Sequence, residues 1–402
     1  MNFENPFRPG AGHMPVYLAG REDEKLKFKR LLEQKLILTN MVLTGRRGVG
    51  KTVLLETFKP LAYEANWLWV GTDLSEAASL TDETMALRLL TDLAVVSSAI
   101  VVETLETQEY GFTAGRTVVT RTLNFDTLIA VYNQTPGLVA DKLKAVLELV
   151  WKCLSPLQKS GIVFAYDEAQ ILSDHADEKQ YPLSLLLDVF QSIQRKNIPF
   201  MLALTGLPNL FAKLVEARTF SERMFQVIQI DSLTPPASRE AITTPIIKME
   251  NPPTYFADEL IEAIVKSSGG YPYFIQFICR EVFDAALQKL AISEKPVVPL
   301  NEIIRKLDTD FFSGRWSKAT DRQRDLLVEI TGLSTCDGEF TIQEITEQAK
   351  TNHTTTFASS SYVNQLLSQL CEAGLVFKVR HGKYSLGVPL LSDFVGRWCA
   401  QH

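Results

Sequence analysis

Leu26, Phe28, Leu31 and Leu32 recur among charged residues between Arg21 and Gln34 at helical spacing, which predicts a helix beginning after Gly20. The short apolar run from Asn40 to Thr44 ends at a glycine and reads as a buried strand. From Lys51 to Tyr63, Val53, Leu54, Leu55, Phe58 and Leu61 form a helical stripe. Trp67 to Val70, Ile162 to Tyr166 and Phe200 to Leu204 read as further strands, with helical patterns over Ala140 to Leu154 and Leu183 to Arg195. Strands alternating with helices imply a parallel sheet covered on both faces. The character changes after Asp231, where Pro235-Pro236 breaks the chain and helical patterns without strands continue to about Asp310. Beyond Arg315 the pattern predicts helices at Asp321 to Ile330, Ile342 to Lys350 and Ser359 to Ala373. Short strands follow at Val376 to Val379 and Tyr384 to Gly387, on either side of His381-Gly382. The opening stretch Asn5 to Gly12 is too rich in proline and glycine for regular structure and is expected to be an extended strap on the first domain.

Composition narrows the class. The chain has 402 residues, 46% hydrophobic and 22% charged, which fits two or three globular units and argues against long disorder. A formal net charge of -6 means that a polyanionic partner must be met by a local basic patch. Cys153, Cys279, Cys336, Cys371 and Cys399 are scattered, most of them in apolar stretches, and are expected to be buried thiols in a reducing compartment. Met1 to Pro15 lacks the apolar core of a secretory signal, and the most apolar run, Leu93 to Val102, falls short of the roughly 20 residues that span a bilayer. A cytoplasmic location without membrane contact is expected.

The chemistry concentrates at two places. Gly45-Arg46-Arg47-Gly48-Val49-Gly50-Lys51-Thr52 fits G-x-x-x-x-G-K-[ST], and it follows a strand and opens a helix, the context that a phosphate-binding P-loop needs. Its glycines let the backbone approach phosphate, the helix N-terminus adds positive potential, Lys51 neutralises the β/γ oxygens and Thr52 reaches Mg²⁺. These eight residues, with the adjoining Val53, are the expected ATP contacts, Arg46 and Arg47 being read as solvated side chains of the loop. The second place is Ile162 to Glu168, an apolar strand ending in two carboxylates. Asp167 is expected to hold Mg²⁺ and Glu168 to polarise the attacking water. At the end of the next strand, Thr205 precedes Gly206-Leu207-Pro208 and is a candidate sensor of the γ-phosphate. Arg218 and Arg223 are alternative arginine fingers for a neighbouring subunit, and a plain surface role remains open for each.

With these motifs in place, the chain resembles the AAA+ and STAND group of P-loop ATPases, nearest to its initiator-type and archaeal-type members, over most of positions 15 to 285. Leu18 to Glu24 looks like the hhGRExE box of that group, which lies near the adenine and brings in Arg21. Leu204 to Leu210 is similar to the sensor region of initiator-like members, and Gly269-Gly270-Tyr271-Pro272 looks like the lid motif whose proline packs on the base. The resemblance implies an α/β fold, an AAA+-like P-loop NTPase parallel sheet core with an extra strand between the phosphate-loop strand and the next one and a helical lid, and the order of helices and strands beyond Arg315 suggests a C-terminal winged-helix domain. The expected boundaries are strap 1–20, core 21–232, lid 233–312 and winged helix 313–402. The chain departs from the pattern at the lid, where no arginine adjoins Pro272 and Arg280 comes about two helical turns later. The long interval between Lys51 and Asp167 leaves room for an insertion near 101–137 of unassigned role.

Two functions follow as alternatives. One is an ATP-hydrolysing switch whose changes of shape control a protein partner or self-association; the other is a DNA-associated initiator- or transposition-type ATPase assembling on duplex DNA. Charge disfavours the second, because no lysine or arginine lies between Lys350 and Lys378 and phosphate contact would rest on Lys378, Arg380, Lys383 and His381.

Overall fold

All six residues of Asn40–Gly45 are buried, and they form β1 of a five-stranded sheet in the order β2-β5-β6-β1-β7. The other strands are β2 (Trp67–Val70), β5 (Gly161–Tyr166), β6 (Phe200–Gly206) and β7 (Phe225–Ile230). The computed structural model describes residues 4–108, 116–291, 299–380 and 382–400. β6 pairs in parallel with both β1 and β5, in the registers Met41↔Ala203 and Ile162↔Phe200, and β5 pairs in parallel with β2. The C-terminal ends of β1, β6 and β5 therefore share one edge, and β6 is the strand inserted beside the phosphate-loop strand. Unbroken burial along β1, β5 and β6 is what a parallel sheet with both faces covered requires.

The chain packs into two compact units. One comprises Asp23–Thr44 and Leu54–Ile228; the other takes the chain up to Glu22, the segment Gly45–Val53 and everything from Gln229 onward. The first unit contains most of the sheet and its flanking helices. Helices Glu22–Leu32 and Lys51–Glu64 meet through Phe28 and Phe58, stacked with centroids 4.4 Å apart, and the Trp67 indole donates to Leu32 O at 3.1 Å. Helix Asp82–Ser97 opens with a capping box between Thr81 and Thr84. The interval left unassigned by the sequence contains an antiparallel pair, β3 (Val101–Gln108) and β4 (Arg116–Thr122), then helix Phe125–Gln134; positions 109–115 lie outside the described residues.

Gly71 lets β2 leave the sheet close against β5. Its φ is 133°, and a Cβ there would stand 1.7 Å from Ala165 O, closer than any atom can approach. Gly71→Ala is accordingly expected to cost roughly 2 kcal/mol or more through backbone strain and overpacking. Chemical denaturation monitored by tryptophan fluorescence measures this, and an unchanged midpoint would show that the two strands separate freely.

The second unit is built on helices Pro235–Ile247, Asp258–Ser268, Pro272–Ala291 and Leu300–Leu307. Pro235 and Pro236 start a helix as well as ending the preceding segment: Thr234 caps it through the Ala237 N–H, and proline suits the first positions, where no intrahelical donor is needed. Expected on the first domain, the strap packs on these helices. Phe7 is buried between Phe256 and Phe283, at centroid distances of 6.1 and 6.3 Å, and Asn5 Nδ2 donates to Arg280 O and Asp284 Oδ1. A proline-rich segment has no ladder to join, so the burial of Phe7 decides where it docks.

Helices Asp321–Thr331, Ile342–Thr351 and Ser360–Glu372 are followed by β8 (Val376–Arg380), β9 (Lys383–Leu386) and a final helix, Leu391–Cys399. Thr320 with Gln323 and Thr341 with Glu344 form capping boxes, and Phe340 bridges Tyr384 through paired 2.8 Å backbone hydrogen bonds. Cys279 is buried, and desolvation pushes its thiol well up. Cys153, Cys336 and Cys371 are partly buried and Cys399 is exposed, so the expectation of uniformly buried thiols holds for Cys279 and fails for Cys399. No helix among the described residues is long and apolar enough to cross a membrane.

Candidate functional site

β1 delivers the chain directly into the glycine loop, and helix Lys51–Glu64 leaves it. Gly48 and Gly50 have φ of 79° and 89°, the left-handed conformation in which a side chain is strained, so glycine at these two positions is dictated by backbone geometry. Val49 points inward and is buried. The buried Arg21 guanidinium donates to Val49 O at 3.1 Å and to Asp231 O at 2.7 Å, tying the loop to the chain leaving β7. Tyr273 N donates to Gly48 O at 3.2 Å, and Pro272 Cγ lies 4.0 Å from where a Gly50 Cβ would be, so the glycine-proline turn adjoins the loop.

Lys51 Nζ donates to Gly45 O and Arg46 O, each at 3.0 Å, which folds the ammonium over the loop. Thr52 opens the helix beside it, and its Cγ2 lies 3.4 Å from where a Cβ on strap residue Gly12 would stand; Val53 is partly buried. Arg46, expected to be solvated, is half-buried and has partners. Its Nη2 donates at 2.7 Å to both Asp337 O and Ser385 Oγ, which joins the loop to β9. Arg47 is exposed, with its guanidinium near Gly374. Arg315, half-buried against the Phe311 ring at 4.2 Å, is held below the usual arginine range by desolvation and then by the charge of Arg47.

In the sheet-bearing unit, Asp167 follows β5 and is buried. Its backbone is fixed by Asp167 N donating to Thr72 O at 3.3 Å and Leu74 N donating to Asp167 O at 3.0 Å. Glu168 is exposed and left-handed, with φ 52°, and its N–H donates to Asp167 Oδ1 at 2.8 Å. The two adjacent acids therefore differ sharply: one desolvated and clasped by backbone, the other open to water. One residue back, Tyr166 donates to Asp92 Oδ2 at 3.0 Å, and burial followed by the Asp92 charge holds its phenol protonated.

Thr205 ends β6 fully buried, and its Oγ1 has no hydrogen-bond partner among the described residues. The segment after it is anchored by Thr44 Oγ1 donating to Leu207 O at 3.0 Å. Of the arginines, Arg218 is committed: it holds Asp188 through two bonds of 2.8 and 2.7 Å and donates to Ser184 Oγ at 2.7 Å. Arg223, on helix Ser221–Met224, is exposed and makes no ion pair among the described residues. In the C-terminal part, Arg380 pairs with Glu339 at 2.9 Å, while His381 lies outside the described residues.

No family model matches the chain, and no curated protein matches it. Solved structures do. The ORC2 protein of Aeropyrum pernix in its ADP form aligns with a TM-score of 0.55 at 13% identity, over 98% of this chain and 97% of that one. The ORC1 protein of Aeropyrum pernix in complex with DNA aligns at 0.47 and 17% identity, over 96% and 95% of the two chains. Cdc6p from Pyrobaculum aerophilum aligns at 0.46 and 15% identity, over 98% and 97%. At these identities the likeness concerns the fold. The α/β fold expected from the motifs, a parallel sheet core carrying a P-loop, is the fold this chain has and shares with the ORC2 protein.

Proposed function

We propose that this protein binds ATP at Gly45 to Val53 and hydrolyses it, and that the nucleotide state acts as a switch on a protein partner or on self-association. The observation that carries the reading is the run of strand, loop and helix from Asn40 to Glu64, in which left-handed Gly48 and Gly50 bring the backbone round to a helix whose first residues are Lys51 and Thr52. Lys51 would exchange its carbonyl partners for β/γ oxygens, a charge-assisted contact stronger than the neutral one it replaces. Thr52 and Asp167 are hard oxygen donors of the kind Mg²⁺ takes together with substrate phosphates, and the ion would neutralise charge developing on the phosphate oxygens. Glu168, open to water one residue beyond buried Asp167, would orient the attacking water and take its proton. Arg21 and Pro272 would shape the base end of the site, Thr205 would respond to the γ-phosphate, and Arg223, which no carboxylate engages among the described residues, would be the finger in preference to Arg218.

The switch reading is supported by Arg46. A loop that touches nucleotide phosphates also holds Ser385 and Asp337 of the C-terminal segment, so a change at the loop alters a contact far away in sequence. The alternative, a DNA-associated initiator-type ATPase with a winged helix at 313–402, is favoured by the exposed face Ser361, Asn364, Gln365 and Ser368 on helix Ser360–Glu372. The engagement of Arg380 by Glu339 weakens it. Measuring hydrolysis rate and particle mass with and without ATP and duplex DNA separates the two. The switch predicts turnover indifferent to DNA and a nucleotide-dependent mass or partner affinity. Turnover raised about tenfold by duplex, falling steeply with salt, would transfer the assignment to the DNA reading.

A further inference from the structure

The turn after β5 contains a side chain that no sequence motif marks. Gln170 lies in the short turn Ala169–Ile171, and both ends of its carboxamide are used: Nε2 donates to Glu168 Oε2, and Oε1 accepts the Leu207 N–H at 3.0 Å. Gly206 makes this close approach possible, since a Cβ there would stand 2.5 Å from Gln170 Oε1. The backbone of the turn is fixed in its own right. Lys213 Nζ donates to Gln170 O at 2.6 Å, Leu172 O at 3.2 Å and Ser173 Oγ at 3.1 Å, and burial holds this ammonium below the usual lysine range. Glu168, by contrast, is exposed, and Gln170 is the hydrogen-bond partner of its carboxylate among the described residues.

We propose that Gln170 is a positioning residue for hydrolysis: its carboxamide clips the Glu168 carboxylate to the segment that follows β6, so that the aim of the base is set by the position of Thr205 to Leu207. The proposal rests on the reading of Glu168 as the base. A carboxamide suits the task because it offers a donor to the carboxylate and an acceptor to the backbone N–H at the same time. Glutamate keeps the acceptor and sets a second negative charge against Glu168; methionine fills the space with neither.

The test is hydrolysis of ATP by the full chain, with binding of a fluorescent ATP analogue measured in parallel, for wild type, Gln170→Glu, Gln170→Met, Glu168→Gln and the two double variants. Misaimed by about an ångström, the base is expected to lose on the order of tenfold to a hundredfold in kcat, while KM and analogue affinity change less than about twofold. In the Glu168→Gln background the Gln170 substitutions should lower the rate no further, because there is no base left to aim. A purely structural role predicts that Gln170→Glu, which retains the Leu207 contact, is mild and that losses multiply in the double variants; either result overturns the clip. Should Gln170→Glu fail to fold, Gln170→Met carries the same comparison. Wild-type turnover in Glu168→Gln would remove the base and the clip together, whereas an inactive Glu168→Gln beside a fully active Gln170→Glu would remove the clip alone.

Discussion

Lys51→Ala abolishes nucleotide binding: titrated with a fluorescent ATP analogue, the variant is expected to lose at least about a hundredfold in affinity, which corresponds to about 2.7 kcal/mol. The ammonium stands at the start of helix Lys51–Glu64 and, on the proposed function, is the charge the loop would bring to the phosphates. In the folded chain it donates to two loop carbonyls, so its removal leaves Gly45 O and Arg46 O to water, a local loss that spares the buried cores. An unchanged far-UV circular dichroism spectrum is therefore part of the expected result. Undiminished affinity in a folded Lys51→Ala protein would mean that ATP binds elsewhere or not at all.

Glu168→Gln separates binding from chemistry. The amide is isosteric with the carboxylate and can still accept the Gln170 Nε2–H, so the turn after β5 should keep its shape. What is lost is the capacity to take a proton from water, and kcat is expected to fall by about 10² to 10⁴-fold with affinity for the analogue changed less than about twofold. Asp167, buried one residue earlier, is not expected to substitute, since its backbone is fixed by Thr72 and Leu74 and its Oδ1 accepts the Glu168 N–H. Turnover equal to wild type would end the claim that this carboxylate performs the hydrolytic step.

Where a structural rule is local, the residues were readable in advance. The P-loop fits a spacing rule, and its glycines turn out left-handed at Gly48 and Gly50. Strands β1, β5 and β6 are continuous apolar runs because both faces are covered, so the pattern stands out. β7 does not stand out, for the converse reason. It is the last strand in the sheet order, and along Phe225–Ile230 the residues Val227 and Gln229 are exposed, so only alternation marks it. The signal lies in Ile228 and Ile230, buried two residues apart with Val227 and Gln229 exposed between and before them, at the period of a strand with one covered face. The C-terminal helices were legible within a few residues at each end, since Thr320 with Gln323 and Thr341 with Glu344 punctuate them locally.

The partners of particular side chains were not legible. Arg46 is drawn from solvent by Asp337 O and Ser385 Oγ, and Phe7 carries the strap to Phe256 and Phe283. Arg218 and Arg223 look alike in the sequence, yet Asp188 and Ser184 engage the first and no acid engages the second among the described residues. Gln170 bears no mark at all until β6 brings Leu207 to it. By itself the sequence determined what depends on near neighbours: the alternation of strands and helices, the caps, the glycine turn and the acids that end β5. Tertiary structure alone decided which hydrogen-bond donor met which acceptor across long separations, because those pairings are selected by burial and by the requirement that desolvated polar groups find partners, and neither is encoded in any short stretch of residues.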